Sequence, residues 1–205
     1  MSTASRRRRR SRRRSWLPGV LIGGVTLVVL LAVLIPIAAS RAPLSLCISE
    51  PASFPDSGVA GWSGEQLENA AVIASTATEY GFDRDGQILG IMAAMGESSL
   101  RNIDYGDWET SGFTNPDGTR TSSIGLFQQQ DWWGSVEERM DPATSAGLFY
   151  ARLARLDGWS QMDPSYAIHR VQINSDPEHY ARFEADAATI MDALSGPCPP
   201  GGGTT

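Results

Sequence analysis

No acidic residue precedes Glu50, and no charge of either sign falls between Leu17 and Ile37. The chain holds only two cysteines, Cys47 and Cys198, and only two histidines, His169 and His179. Cysteines that far apart exclude a chelating Cys-x-x-Cys site. Neither histidine stands at ligand spacing from a cysteine or a carboxylate, so surface or capping roles are expected of both and no metal is expected. A Gly-x-Ser-x-Gly elbow is missing too, which removes the usual support for a Ser-His-Asp hydrolase. There is no internal repeat and no cofactor signature, so no cofactor is expected. At 205 residues the chain has room for one ordinary domain with flanking segments, and two separate cores would be a tight fit.

What is present is an extreme separation of charge. Eight of the seventeen basic residues are Arg6 to Arg10 and Arg12 to Arg14, whereas residues 41–205 carry nine arginines against 23 acids, a formal charge of −14. An acidic body of this kind repels nucleic-acid backbones, so no nucleic-acid partner is expected of it. A nucleic-acid arm made of the arginine tract is the alternative, and the apolar run directly behind the tract argues against it.

That run, Leu17 to Ile37, is close to the roughly 20 apolar residues that span a bilayer as a helix. Gly19, Gly23, Gly24 and Pro36 weaken a soluble helix but are common in membrane helices. The positive-inside bias keeps the arginines in the cytoplasm and sends everything after about Ser40 outside. A cleavable signal peptide, cut near Ala38-Ala39-Ser40, is the competing reading. The apolar core exceeds the usual h-region of about 7–15 residues, which favours a retained single-pass anchor. Either topology exports the body into an oxidising compartment, where Cys47 and Cys198, at the body's opposite edges, can form a disulfide tying its ends together; two unpaired thiols are the alternative.

The organisation follows from composition. Residues 1–15 read as a cytoplasmic basic tail, 16–39 as a transmembrane helix, 40–60 as a Pro- and Gly-bearing extracytoplasmic linker, 61–195 as the folded domain and 196–205 as a flexible Gly/Pro tail. Within the domain the punctuation is mostly helical. Ser63 with Gln66 suggests a capping box before a helix over Leu67–Tyr80, with Gly81 as its stop. Asp83 or Asp85 can cap a second helix running through Met95, in which Ile88, Ile91, Met92 and Met95 recur as a core stripe. Three Asp-Pro pairs, at 141, 163 and 176, each predict a helix start. Asn102 to Ser123 reads as a long loop or small hairpin containing an Asn-Pro-Asp-Gly turn.

Two segments could carry chemistry. Glu97 closes the second helix on a line with Gly90, Ala93 and Ala94, a face small enough to admit another backbone or a substrate. A carboxyl desolvated at the end of so apolar a helix would have a raised pKa and could serve as a general acid; an ordinary exposed glutamate is the alternative. The second segment runs from Ser122 to Trp133 and mixes amides with paired indoles. Amides bind hydroxyls directionally and aromatic faces cover pyranose rings, so the mix suits sugars; a core-facing loop with buried tryptophans would look the same.

Taken together, Glu97-Ser98-x-Leu100 and, about 25 residues later, Gly125-Leu126-x-Gln128 resemble the first two motifs of the lytic transglycosylase and goose-type lysozyme superfamily. With Asn102-x-Asp104-Tyr105-Gly106-Asp107 between them, the string is similar to an exported actinobacterial branch. The resemblance covers roughly residues 65–190. It implies a mainly α, lysozyme-like α+β domain, single and compact, with a central active-site cleft behind one transmembrane helix. It also implies Glu97 as acid and base, and Ser98, Gly125, Leu126 and Gln128 as substrate-binding positions. The family's Ala-Tyr-Asn-x-Gly motif is replaced by Ile168 to Asn174, with Val171 and Gln172 at the Tyr and Asn positions; Gln172 is the candidate substitute amide.

The implied reaction is cleavage of the MurNAc–GlcNAc bond of peptidoglycan. In the transglycosylase route one glutamate protonates the leaving oxygen and then accepts the proton of the sugar's own 6-hydroxyl. A lysozyme-type hydrolase would need a second carboxylate, for which Asp104 and Asp107 are candidates, although Asp beside Gly also stabilises turns. A third reading is a non-catalytic wall-binding or secretion-assembly module. The expected partners are peptidoglycan glycan strands and the membrane, with secretion or conjugation machinery as a context that such a tethered enzyme can serve.

Overall fold

The computed structural model describes residues 56–195, together with the backbone of Gly196 and of the two-residue strand Cys47–Ile48. The expected membrane span lies outside the described residues, as does Cys198. Among the described residues no helix is long and apolar enough to cross a membrane. Strand β1 (Cys47–Ile48) pairs antiparallel with β2 (Ser195–Gly196), Cys47 opposite Gly196.

Seven α-helices make up the described domain: α1 (Glu65–Glu79), α2 (Arg84–Ser98), α3 (Asp107–Ser111), α4 (Val136–Met140), α5 (Pro142–Leu153), α6 (Pro164–Gln172) and α7 (Glu184–Leu194). The mainly helical architecture is as expected. Helix α2 is the central one, packed by α1, α5, α6 and α7, and every residue from Gly86 to Met95 is buried. A helix apolar on all sides is stable only inside a core. The Ile88, Ile91, Met92 and Met95 stripe is core as read. The Gly90, Ala93 and Ala94 line is core as well rather than a substrate face, with Gly90 against Tyr150 and Ile73.

The capping chemistry was legible in part. Asp83 caps α2, Asp141 caps α5 and Asp163 caps α6, each accepting from a backbone amide three residues on. Helix α1 starts two residues earlier than expected, with Gly64 rather than Ser63 before its first turn, because Gly64 adopts φ 54° and turns the chain in. Gln66 still accepts from the Ser63 amide. The third Asp-Pro pair starts no helix. Asp176 Oδ1 accepts from Glu178 N at 2.9 Å and closes a turn, and α7 begins only at Glu184. Two short helices were unforeseen. In α3, Glu109 accepts from the Gly106 amide; α4 is capped by Ser135 with Glu138 reciprocating. The Asn-Pro-Asp-Gly turn does make a hairpin, bridging Thr114 and Arg120.

Candidate active site

Three devices fix the end of α2 that bears Glu97. Ser99 and Leu100 follow it in left-handed conformation, φ 55° and 57°, which costs energy for residues with a side chain. Helix α1 holds their carbonyls: Gln66 Nε2 donates to Ser99 O at 2.9 Å and Asn69 Nδ2 to Leu100 O at 2.8 Å. The bare Cα of Gly96 then admits Tyr180, since a Cβ there would lie 2.5 Å from Tyr180 Cδ1.

Tyr180 is the residue that the sequence reading missed. Fully buried, it donates its hydroxyl to Glu97 Oε1. The turn closed by Asp176 presents it, and Ser165 secures that turn by donating to Pro177 O at 2.6 Å while accepting from Tyr180 N at 3.1 Å. The carboxyl meeting this phenol is half-buried, and burial pushes its pKa up to about 7. The Tyr180 hydrogen bond opposes that rise, the charge of Asp107 adds to it, and Gln172 lowers it slightly. Burial and the adjoining carboxylate in turn hold the Tyr180 phenol protonated. Near neutral pH Glu97 can therefore both give and take a proton, with Tyr180 as a fixed donor.

The turn facing Glu97 is built on an arginine. Arg139 is buried, and its guanidinium donates to Gly134 O, Ser122 O at 2.7 Å and Gln129 O at 2.9 Å. Gly125 takes φ 77° where a Cβ would lie 2.1 Å from the Arg139 carbonyl oxygen, so the turn can press against α4 only with glycine there. The chain reverses between Ile124 and Gln129, which exchange backbone hydrogen bonds, and Gln128 sits at φ 44° with its Nε2 donating to Tyr105 O and Gly125 O, both at 3.2 Å.

These elements enclose a groove of about 1280 Å³ with Glu97 in its wall. Single small ligands fill about 300–1,000 Å³, so this volume suits an extended chain. Of the expected site residues, Glu97, Gln128 and Gln172 meet in the groove. Ser98, Gly125 and Leu126 do not line it. Ser98 is buried and donates to Leu126 O at 2.8 Å, and Leu126 is core. Gln172 Nε2 donates to Phe127 O at 3.0 Å, so this amide also braces the turn. The paired indoles divide the two readings offered for them. Trp132 is 56% exposed in the groove, whereas Trp133 is mostly buried beneath the Arg152 guanidinium, 3.4 Å from its ring centroid.

Residues of the 113–121 hairpin also line the groove, and there Arg120 lies 4.5 Å over the Trp108 ring. Asp107 faces the groove and bears on Glu97; Asp104 lines a separate cavity of about 300 Å³. No group of histidine, cysteine and carboxylate side chains suited to a metal occurs among the described residues. No family model matches the chain, and no curated protein matches it either.

Proposed function

We propose that this protein cleaves the MurNAc–GlcNAc bond of peptidoglycan as a membrane-tethered lytic transglycosylase, with Glu97 as acid and then base. The observation that carries the reading is a carboxyl with pKa about 7, clasped by Tyr180, in the wall of a long groove lined by amides and an open indole. Glu97 gives its proton to the leaving glycosidic oxygen as the bond to C1 breaks. The sugar's 6-hydroxyl oxygen then bonds to C1 and its proton passes to the Glu97 carboxylate, which restores the acid. Tyr180 donates to that carboxylate in the interval between the two steps. Gln128, Gln172 and Trp132 supply the amide and ring contacts that a saccharide chain uses.

Asp107 favours a second reading, a lysozyme-type hydrolase in which this carboxylate activates water. One experiment separates the readings: the full-length chain is incubated with purified peptidoglycan and the soluble products are weighed by mass spectrometry. The transglycosylase releases muropeptides one water lighter than hydrolytic ones, and Glu97→Gln releases none. Equal release by both proteins, or none by either, rejects catalysis through Glu97. Retention on the polymer without release supports a wall-binding module instead. The exported topology and a Cys47–Cys198 disulfide belong to the same proposal. The acidic body and an anionic polymer repel each other at low salt, an obstacle that a tether offsets by raising local concentration.

A further inference from the structure

The turn that presents Tyr180 carries a second ring. His179 stands beside it, and its Nε2 lies 3.2 Å from the Gly96 carbonyl oxygen. Consecutive residues of the turn thus meet consecutive residues of the helix, His179 on Gly96 and Tyr180 on Glu97. A carbonyl oxygen only accepts, so Nε2 is a protonated ring nitrogen and donates. The last four carbonyls of a helix have no partner within it. At the end of α2, Ala94 O and Met95 O accept from the Leu100 and Ser99 amides, both at 3.1 Å, and Ser98 O accepts from Arg101 N at 3.2 Å. Among the described residues, the donor to the Gly96 carbonyl is His179.

The two rings are set against each other as well as against the helix. They stand edge to face, centroids 4.8 Å apart at 90°, an arrangement that aromatic pairs prefer. A Cβ on residue 96 would lie 2.5 Å from Tyr180 Cδ1 and 3.3 Å from His179 Cδ2, so glycine there lets both rings approach the helix. We propose that His179 is a positioning residue for Glu97: by donating to the Gly96 carbonyl it fixes the register between the 176–180 turn and the end of α2, and so holds the Tyr180 phenol on the Glu97 carboxyl. Ser165 ties the same turn to α6. Among the described residues, the turn's hydrogen bonds to α2 are those of His179 and Tyr180. Loss of the first leaves the second to carry the alignment by itself, and a hydrogen bond weakens steeply as it bends off line.

The first arm of the test reads the Tyr180–Glu97 contact by NMR on the full-length chain and does not depend on catalysis. The Tyr180 hydroxyl proton is identified by its loss in Tyr180→Phe, and the 13C-labelled Glu97 carboxyl by its loss in Glu97→Gln. His179→Phe keeps a ring beside Tyr180 but has no donor for the Gly96 carbonyl. It is expected to shift the hydroxyl proton upfield and to raise the Glu97 titration midpoint by about half a pH unit, roughly half the effect of Tyr180→Phe. Gln172 and Asp107, which also bear on the carboxyl, are left intact. His179→Gln places an N–H donor near the position of Nε2 and should restore both signals. His179→Ala is read in the same way as His179→Phe if the larger ring disturbs the fold. The pair His179→Phe/Tyr180→Phe should raise the midpoint no further than Tyr180→Phe alone. Additive shifts, failure of His179→Gln to restore the signals, or wild-type signals in both His179→Phe and His179→Ala overturn the proposal. In the second arm, which rests on the proposed catalysis, His179→Phe lowers kcat on peptidoglycan about tenfold with little change in KM, and His179→Gln recovers it. A loss confined to KM overturns the positioning role. If the NMR signals move as expected but the wild type releases no muropeptide, the positioning role stands and the catalytic reading falls.

Discussion

Ser98 Oγ donates to the Leu126 carbonyl at 2.8 Å, and this bond joins the helix end bearing Glu97 to the turn bearing Gln128. The same hydroxyl lies 3.2 Å from Ala94 O, one turn back on α2. Ser98→Ala would remove the link and leave the Leu126 carbonyl buried without it. A loss of about 1–2 kcal/mol is expected in denaturant titration. On the proposed activity, peptidoglycan release should fall as well, through kcat more than KM, since the change disturbs the alignment of Glu97 and not the groove-lining amides.

Arg139 predicts a larger loss. Its donors satisfy the backbone carbonyls of Ser122, Gln129 and Gly134, and no ion pair involving it occurs among the described residues. Arg139→Met would orphan those carbonyls at a cost of about 3 kcal/mol, and Arg139→Lys should recover little because an ammonium cannot reach them in the same planar fork. Equal melting temperatures for the Arg139→Lys variant and the wild type would show that the fork is dispensable.

Ile173 predicts a gain. It ends α6 at φ 61°, ψ 42°, a costly conformation for a β-branched side chain, and 70% of it is exposed at the groove. Ile173→Asn suits the left-handed position and should stabilise the protein by about 1 kcal/mol. Exposed strain beside a binding groove points to a use for the side chain against substrate. The same variant is therefore expected to raise KM severalfold; a higher melting temperature with unchanged KM would count against that use.

The Glu97 carboxyl sets a pH dependence of stability. Its pKa in the folded protein is about 7, raised from the reference 4.5, so folding favours the protonated form. The associated stability is fully present below about pH 4.5 and is lost as pH rises through 7. Glu97→Gln cannot ionise and escapes that loss. It should be more stable than the wild type by about 2–3 kcal/mol at pH 8, with the advantage fading below pH 5. An advantage that stays constant from pH 5 to 8 in thermal melts would show that the carboxyl is not desolvated.

Much of the site was legible in the sequence, and the part that was not has a common cause. Side chains that touch within three or four residues announce themselves, which is why the Asp caps at 83, 141 and 163 and the hairpin turn read correctly. The third Asp-Pro pair has the same local signature but opens a turn, because Ser165 from another helix holds Pro177 and Tyr180 in place. Local sequence cannot carry that instruction. The paired indoles show the same limit, since neighbouring positions with one chemistry end with one ring exposed and the other buried.

By itself the sequence determined the apolar stripe of α2, the glutamate at its end and the amide-bearing turn, since periodicity and residue type are written in adjacent positions. Tertiary structure alone decided that Tyr180 meets Glu97 across 83 residues, that Arg139 supports the turn, and that the carboxyl is desolvated enough to hold a proton near pH 7. The physical reason is that a carboxyl's proton affinity depends on the water removed from it and on the donors brought to it, and both are supplied by segments remote in the chain.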